Sequence, residues 1–245
     1  MQLYTVGLIM AEDGRKMSKR WGNVVNPDDV VAQLGADTLR VYEMFMGPFG
    51  QAIAWSTDHM VGARRFLEKV YGLHEQGPGK GEQGTGSDDD DKETMLLLHQ
   101  TIKKVGADIE QFSFNTAISQ LMILVNHLDK LDTVPSDVLA TLTRLLAPFA
   151  PHLSEELWEQ LGHTESVHDA QWPTYDEAVL AGAEVTIAVQ VNGKVRDTFT
   201  IAPETSKEEL LSTAKALEKI LPWLEGKSIK KEIVVPNRLV NIVVA

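Results

Sequence analysis

Two lysines and two arginines fall within six residues, in the string Asp13, Gly14, Arg15, Lys16, Met17, Ser18, Lys19, Arg20, Trp21, Gly22, Asn23. Ammonium groups on flexible stems can follow a polyanion whose charge changes during reaction, and a triphosphate losing pyrophosphate is such a substrate. Ser18 adds a hydroxyl, and Gly14 and Gly22 flank the cluster as hinges. A plain solvated basic loop uses the same residue types, and spacing alone leaves the two readings even.

The elements around the loop must hold it in place. The apolar run over residues 3–10 predicts a strand entering it. Asn26 as N-cap, Pro27 at the first helical position, and Asp28 and Asp29 in the first turn predict a helix to about Leu34, stopped by Gly35. A second helix starts at Asp37 and carries Leu39, Tyr42, Phe45 and Met46 at helical spacing before Gly47 and Pro48 end it. A longer helix over about 58–73 turns Val61, Phe66, Leu67 and Val70 to a core and projects Arg64 and Arg65 outward, which as a pair suit a solvated face better than an RNA contact.

Residues 74–92 are rich in Gly, Gln and charge, and end in four aspartates and Lys92. Such composition buries little apolar area and predicts a flexible linker or insertion. The Asp-Asp-Asp-Asp-Lys run matches an enteropeptidase tag, but the patterned sequence on both sides favours a native acidic loop. Beyond it, four apolar sets recur at steps of three and four: Met95 to Phe112, Phe114 to Leu128, Val138 to Phe149 after Pro135, and Leu153 to Leu161 after Pro151. Together they predict a helical bundle. His127 and His152 read as structural histidines, and Glu155 and Glu156 as helix-start acids. At Glu184 the period changes to two. Val185 to Val191, the Asn192-Gly193 turn and Val195 to Ile201 make a hairpin, Ser206 and Glu209 form a capping box for a helix through Leu221, and two more strands follow over 229–235 and 239–244. The expected architecture is multidomain α+β, with domains over 1–50, 51–182 and 183–245.

In a chain of 245 residues, 43% hydrophobic content is ordinary for globular cores. No cysteine is present, which excludes disulfides and thiolate zinc sites, and the seven histidines show no metal spacing. Without a signal sequence or an apolar span, a cytoplasmic setting and no membrane are expected. The net charge of −12 is unevenly spread: residues 93–182 hold 4 Lys or Arg against 13 Asp or Glu, whereas 183–245 hold 9 against 8. Local potential, rather than the total, decides whether phosphate is drawn.

Lys16, Met17, Ser18, Lys19 and Arg20, followed by Gly22, Asn23, Val24, Val25, Asn26 and Pro27, resemble the KMSKS signature loop of class I aminoacyl-tRNA synthetases, with Arg20 in place of the final serine. The stretch 35–48, with Trp55-Ser56 and 62–67, resembles leucyl-tRNA synthetases in particular. The strings at 147–158 and 171–173 resemble the anticodon-binding helical domain of the class, and that at 189–196 the tRNA-contacting C-terminal domain of bacterial leucyl enzymes.

The resemblance implies the end of a catalytic core with its signature loop, an α-helical anticodon-binding bundle, and a small ββαββ domain. It implies ATP-dependent activation of leucine and its transfer to tRNA(Leu), with ATP carrying Mg2+ and no protein-bound metal. Lys16 and Lys19 would be catalytic, and Lys16, Ser18, Lys19 and Arg20 would bind ATP. Arg64, Arg65, Lys194, Arg196, Lys230, Lys231 and Arg238 would be tRNA contacts, with solvation the favoured reading for Arg64 and Arg65 and an equal one for each of the others. Neither the nucleotide-binding fold nor the editing domain of that family is found in this sequence, so the chain is expected to be a C-terminal portion, inactive by itself, that works with a missing N-terminal catalytic part or as one subunit of a split enzyme. A tRNA-binding module without catalysis, or a synthetase for valine, isoleucine or methionine, are the alternatives.

Overall fold

The computed structural model describes residues 5–75, 88–181, 185–202, 205–235 and 238–244. The chain divides into two compact units, Met1–Tyr175 and Asp176–Ala245.

The first unit opens with a two-residue strand, β1 (Ile9–Met10), followed by the helices α1 (Pro27–Leu34) and α2 (Ala36–Phe45). The Asn26 side chain accepts from the Asp28 amide and Pro27 occupies the first turn, as the capping residues require. Strand β2 (Ile53–Ala54) pairs in parallel with β1, joining Ile9 to Ile53 and Met10 to Ala54. The predicted strand over 3–10 is therefore short: residues 5–8 form no ladder, although Gly7 donates to the Phe49 carbonyl at 3.0 Å and a Cβ there would lie 1.8 Å from the Gln51 carbonyl oxygen.

Helix α3 (Thr57–Glu75) buries Phe66, Leu67 and Val70, but Val61 is 44% exposed because Met60 and Ala63 take the inward phase. Helices α4 (Asp88–Glu110) and α5 (Phe114–Leu128) pair closely, and α6 (Ser136–Leu146) and α7 (Pro151–Gln160) complete the bundle. Its core is continuous from Val30 and Val41 through Leu121, Leu124 and Leu142 to Leu157. Burial of such aliphatic side chains is the main stabilising term, at roughly 1.5–3 kcal/mol each.

Several expectations are corrected here. The predicted linker over 74–92 is helical at both ends: His74 and Glu75 close α3, and the acidic run begins α4, where Asp90 and Asp91 stand in the first turn and negative charge is favoured by the helix dipole. His74 is buried, with Nε2 3.0 Å from the Thr143 hydroxyl. The rest of that span lies outside the described residues. Met95 is on the exposed side of α4, and Phe112 lies past its end with φ of 57°, where its ring joins Phe49 and Phe114 at 5.6 and 5.4 Å. A short connection between antiparallel helices sets that left-handed residue, not the helical repeat.

The second unit begins with α8 (Glu177–Ala181) and builds a four-stranded sheet from β3 (Val185–Val191), β4 (Lys194–Ile201), β5 (Ile229–Val235) and β6 (Leu239–Val244), in the order β4-β3-β6-β5. The central pair β3 and β6 is parallel and the outer pairs are antiparallel. Asn192 and Gly193, at φ of 51° and 77°, make the hairpin turn that the dipeptide predicts. Asn192 also extends the sheet: its side chain donates to the Val244 carbonyl and accepts from the Val244 amide at 3.2 and 2.9 Å.

One face of the sheet packs Ile187, Val189, Val240 and Ile242 against Leu210 and Ala214 of α9 (Lys207–Ala216). The capping box is present in part, with Ser206 Oγ accepting from the Glu209 amide. The helix does not reach Leu221, however. Pro222 has no amide hydrogen and fits only in a first turn, so the chain breaks at Leu217 and restarts as α10 (Leu221–Leu224). The chain is multidomain α+β, with a helical bundle and a small sheet domain.

Candidate functional site

The basic loop hangs from β1. The Ala11 amide donates to the Arg15 carbonyl at 2.8 Å, and Met10 and Lys16 form an antiparallel bridge, so residues 11–16 fold back as a tight turn. Asp13 locks that turn by accepting from the Arg15 guanidinium at 2.6 and 2.9 Å and from the Arg15 amide at 2.9 Å; these bonds, the guanidinium's first, hold the Asp13 carboxyl below its usual pKa. Met17 packs on the bundle core and roots the centre of the loop.

From there Ser18 starts a single 3-10 turn over Lys19–Trp21, its hydroxyl accepting from the Arg20 amide at 3.3 Å, and Gly22 ends it at φ of 62°. Lys16, Ser18, Lys19 and Arg20 are thus brought together on one loop. The side chains of Lys16, Lys19 and Arg20 are exposed, and among the described residues none of them pairs with a carboxylate. Three exposed cations, none paired with a carboxylate among the described residues, on a glycine-bounded turn suit a ligand with several negative charges. Ser18, by contrast, has its hydroxyl committed as a cap.

Two contributors escaped the reading of the sequence. Trp21, 57% exposed, lies under both the Arg15 and Arg20 guanidinium groups at 5.2 and 5.4 Å, an arrangement its position beside Arg20 could have suggested. Glu12 accepts from both the amide and the hydroxyl of Thr57 at 3.1 and 2.9 Å, tying the root of the loop to the start of α3. Those bonds, the amide's first, lower the Glu12 pKa, and no local signal in the sequence marks a contact 45 residues away.

Among the other candidate residues, Arg64 is committed: it donates to Glu68 at 2.7 Å and to the Leu34 carbonyl at 3.1 Å. Arg65 is exposed on the next face of α3. In the second unit, strand register gathers Lys194, Arg196, Lys230 and Lys231 at one end of the sheet, because Val191 is paired with both Lys194 and Ile242, and Ile242 with Glu232. Arg238 precedes Leu239 at the opposite end and does not join them. Arg196 stacks on Trp223 of α10 at 3.6 Å, and the Lys227 ammonium stands 5.8 Å from the same ring. The separation of 27 positions between Arg196 and Trp223 hides that pairing from any local reading.

Glu155 and Glu156 do not start a helix; they sit in the second turn of α7, behind Pro151. Glu155 instead clamps the chain after α7 by accepting from the Ser166 hydroxyl and from the Val167 amide, the latter at 3.1 Å. The Ser166 bond first, then that from Val167, holds its pKa below the ordinary 4.5, with His168 adding a smaller effect. A lowered folded-state pKa gives a contribution that is present above the ordinary value and lost as pH falls through the folded one. Below pH 4.5 the Val167 amide is therefore expected to lose hydrogen-exchange protection, while a Glu155→Gln chain shows no such step; a step that survives the substitution would rule out Glu155 as its source.

Among the described residues no group of three His, Asp or Glu could hold a metal ion, and no helix is long and apolar enough to cross a membrane.

Residues 1–56 match the family model of class I tRNA synthetases (I, L, M and V), and residues 91–211 match that of the anticodon-binding domain of tRNA ligase. The agnB2 LeuRS of Agrobacterium radiobacter K84, solved as a ternary LeuRS-tRNA-LeuAMS complex, is 36% identical over 100% of this chain, with a TM-score of 0.75. The chain belongs to the class I aminoacyl-tRNA synthetases. As a member of that class it is similar along its whole length to a leucyl enzyme. It spans about a third of the length of the Agrobacterium LeuRS, 33%. A Mycobacterium tuberculosis methionyl-tRNA synthetase, solved with methionyl-adenylate, is 19% identical, covers 62% of this chain and 37% of its own, and has a TM-score of 0.49. Within the synthetase, the basic loop lies in the part matched by the class I model, and α4 to α7 lie in the part matched by the anticodon-binding model.

Proposed function

We propose that this chain serves leucine-tRNA ligation, supplying the phosphate-binding loop and tRNA contacts for leucyl-adenylate formation and transfer of leucine to tRNA(Leu). The observation that carries the reading is the loop itself, with Lys16, Lys19 and Arg20 exposed and, among the described residues, unpaired with any carboxylate, on a turn that Met17 and Asp13 hold. Identity of 36% to a LeuRS along the whole chain supports leucine as the amino acid.

In the activation step a carboxylate oxygen of leucine attacks the α phosphorus of ATP, the bond to the β phosphate breaks, and pyrophosphate leaves with the electron pair. Lys16 and Lys19 stabilise the charge that develops on that leaving group, which favours the transition state over bound ATP. Mg2+ arrives with ATP as part of the substrate. The proposed domains are the end of the catalytic core over 1–50, the helical anticodon-binding domain over 51–182 and the tRNA-contacting domain over 183–245. Lys194, Arg196, Lys230 and Lys231 are proposed to meet the tRNA backbone together, with Arg65 a separate contact on α3. Arg64, already held by Glu68 and Leu34, and Arg238, at the far end of the sheet, contribute less.

The test is ATP-pyrophosphate exchange with leucine, first with this chain alone and then with a leucyl-tRNA synthetase N-terminal catalytic part added. Exchange that appears only on mixing supports the reading, whether the two parts are one protein or two subunits. Absence of exchange in both, with salt-dependent tRNA binding intact, supports the second reading, a tRNA-binding module. The basic end of the sheet and its Trp223 stack favour that reading independently of the loop.

A further inference from the structure

Ser18 stands at the middle of the loop, and what fixes it comes from beyond the 3-10 turn. The Ser18 amide donates to Asn23 Oδ1 at 2.8 Å, a bond that reaches back across five residues and closes the base of the turn carrying Lys19 and Arg20. Ser18 in turn caps Arg20, and Gly22 sets the chain reversal that brings Asn23 under Ser18. Asn23 is thus the only side chain among the described residues that bonds the loop's two limbs to each other at this level. Its Nδ2 is shut off from solvent, and the acceptor beside it is the Asp13 carboxylate, whose pKa Asn23 helps in small part to lower.

We infer that Asn23 is the positioning residue of the phosphate loop, fixing Ser18 and through it the spacing of Lys16 and Lys19 in the resting state. The inference rests on the loop's proposed role with phosphates. It assigns to Asn23 no contact with the substrate. The residues that face it are Ser18 on the loop, and Asp13 with its partner Arg15 on the preceding turn.

The experiment compares the full 245-residue chain with Asn23→Ala and Asn23→Asp variants, by amide hydrogen exchange at Ser18 and by titration with inorganic pyrophosphate. Asn23→Asp keeps an oxygen acceptor for the Ser18 amide. Exchange at Ser18 is expected to rise about tenfold in Asn23→Ala and to stay near the parent rate in Asn23→Asp, and pyrophosphate affinity to fall about tenfold in Asn23→Ala; Asn23→Asp, whose added charge repels pyrophosphate by itself, is read by exchange only. A Ser18 rate unmoved by Asn23→Ala overturns the inference, as does a pyrophosphate affinity unmoved while Ser18 loosens. If the parent chain binds no pyrophosphate, the phosphate role of the loop falls, and with it the positioning of lysines for phosphate; a Ser18 rate that still responds then shows the failure to lie in that role and not in the Asn23 bond.

Discussion

Lys19→Ala is expected to lower the rate of leucine-dependent ATP-pyrophosphate exchange by about two to three orders of magnitude in the enzyme assembled with its catalytic part, with little change in KM for ATP. The split follows from the physics of the step: charge grows on pyrophosphate as the bond to the α phosphate breaks, so an ammonium there acts most strongly at the transition state. The substitution is also clean. Lys19 is exposed and, among the described residues, bonds no carboxylate, so its removal orphans no buried group and folding stability should move by less than about 0.5 kcal/mol. An equal rise in KM with the rate preserved would make Lys19 a simple ATP-binding residue, and unchanged exchange would remove it from the chemistry.

The second large effect lies far from the loop. Asp37, in the first turn of α2, points its buried carboxylate at the start of α7, accepting from the Leu153 amide at 2.7 Å and from His152 Nδ1 at 2.8 Å. Leu153 is the third residue of α7, so Asp37 caps that helix from a different one. The His152 side chain is 75% exposed, and its share of the pair is small because solvent screens it. The amide bond is the larger part. Asp37→Ala leaves the Leu153 amide without a partner and is expected to cost about 2–3 kcal/mol. Asp37→Asn retains an acceptor and should recover at least half. Urea unfolding followed by far-ultraviolet circular dichroism, which the helices of the first unit dominate, measures both; equal losses in the two variants would show that capping is not the cause.

That contact spans 116 residues, and it marks the boundary of what the sequence makes legible. Signals carried by near neighbours came through: the cap at Asn26, the turn at Asn192 and Gly193, the apolar spacing of α5 and α6, and the string from Lys16 to Arg20. Each is a local preference that the fold does not oppose. Residues whose roles depend on a distant partner were misread or missed. Val61 and Met95 fit the helical period yet face outward, because which phase of α3 and α4 is covered depends on where the other helices lie. Glu155 looked like a helix-start acid, although its partners Ser166 and Val167 come after the helix. At the loop, the basic side chains proposed to meet phosphate stand out by type and order, whereas the residues that hold them, Glu12 and Asn23, declare themselves only through hydrogen bonds.

The order of the second sheet has a further effect on how its lysines behave. Strands β4 and β5 are its two outer strands, so each presents unpaired backbone groups along one side. Lys194 and Arg196 stand on the first and Lys230 and Lys231 on the second. Cations on an outer strand repel a second copy that would otherwise add its own strand there, and Ile229, Ile233 and Val235 on β5 are exposed apolar residues that such an addition would cover. The cluster proposed to meet tRNA is therefore also a guard against self-association. Neutralising Lys230 and Lys231 together removes the protection of β5, and the resulting chain is expected to sediment as larger species than the parent at the same concentration.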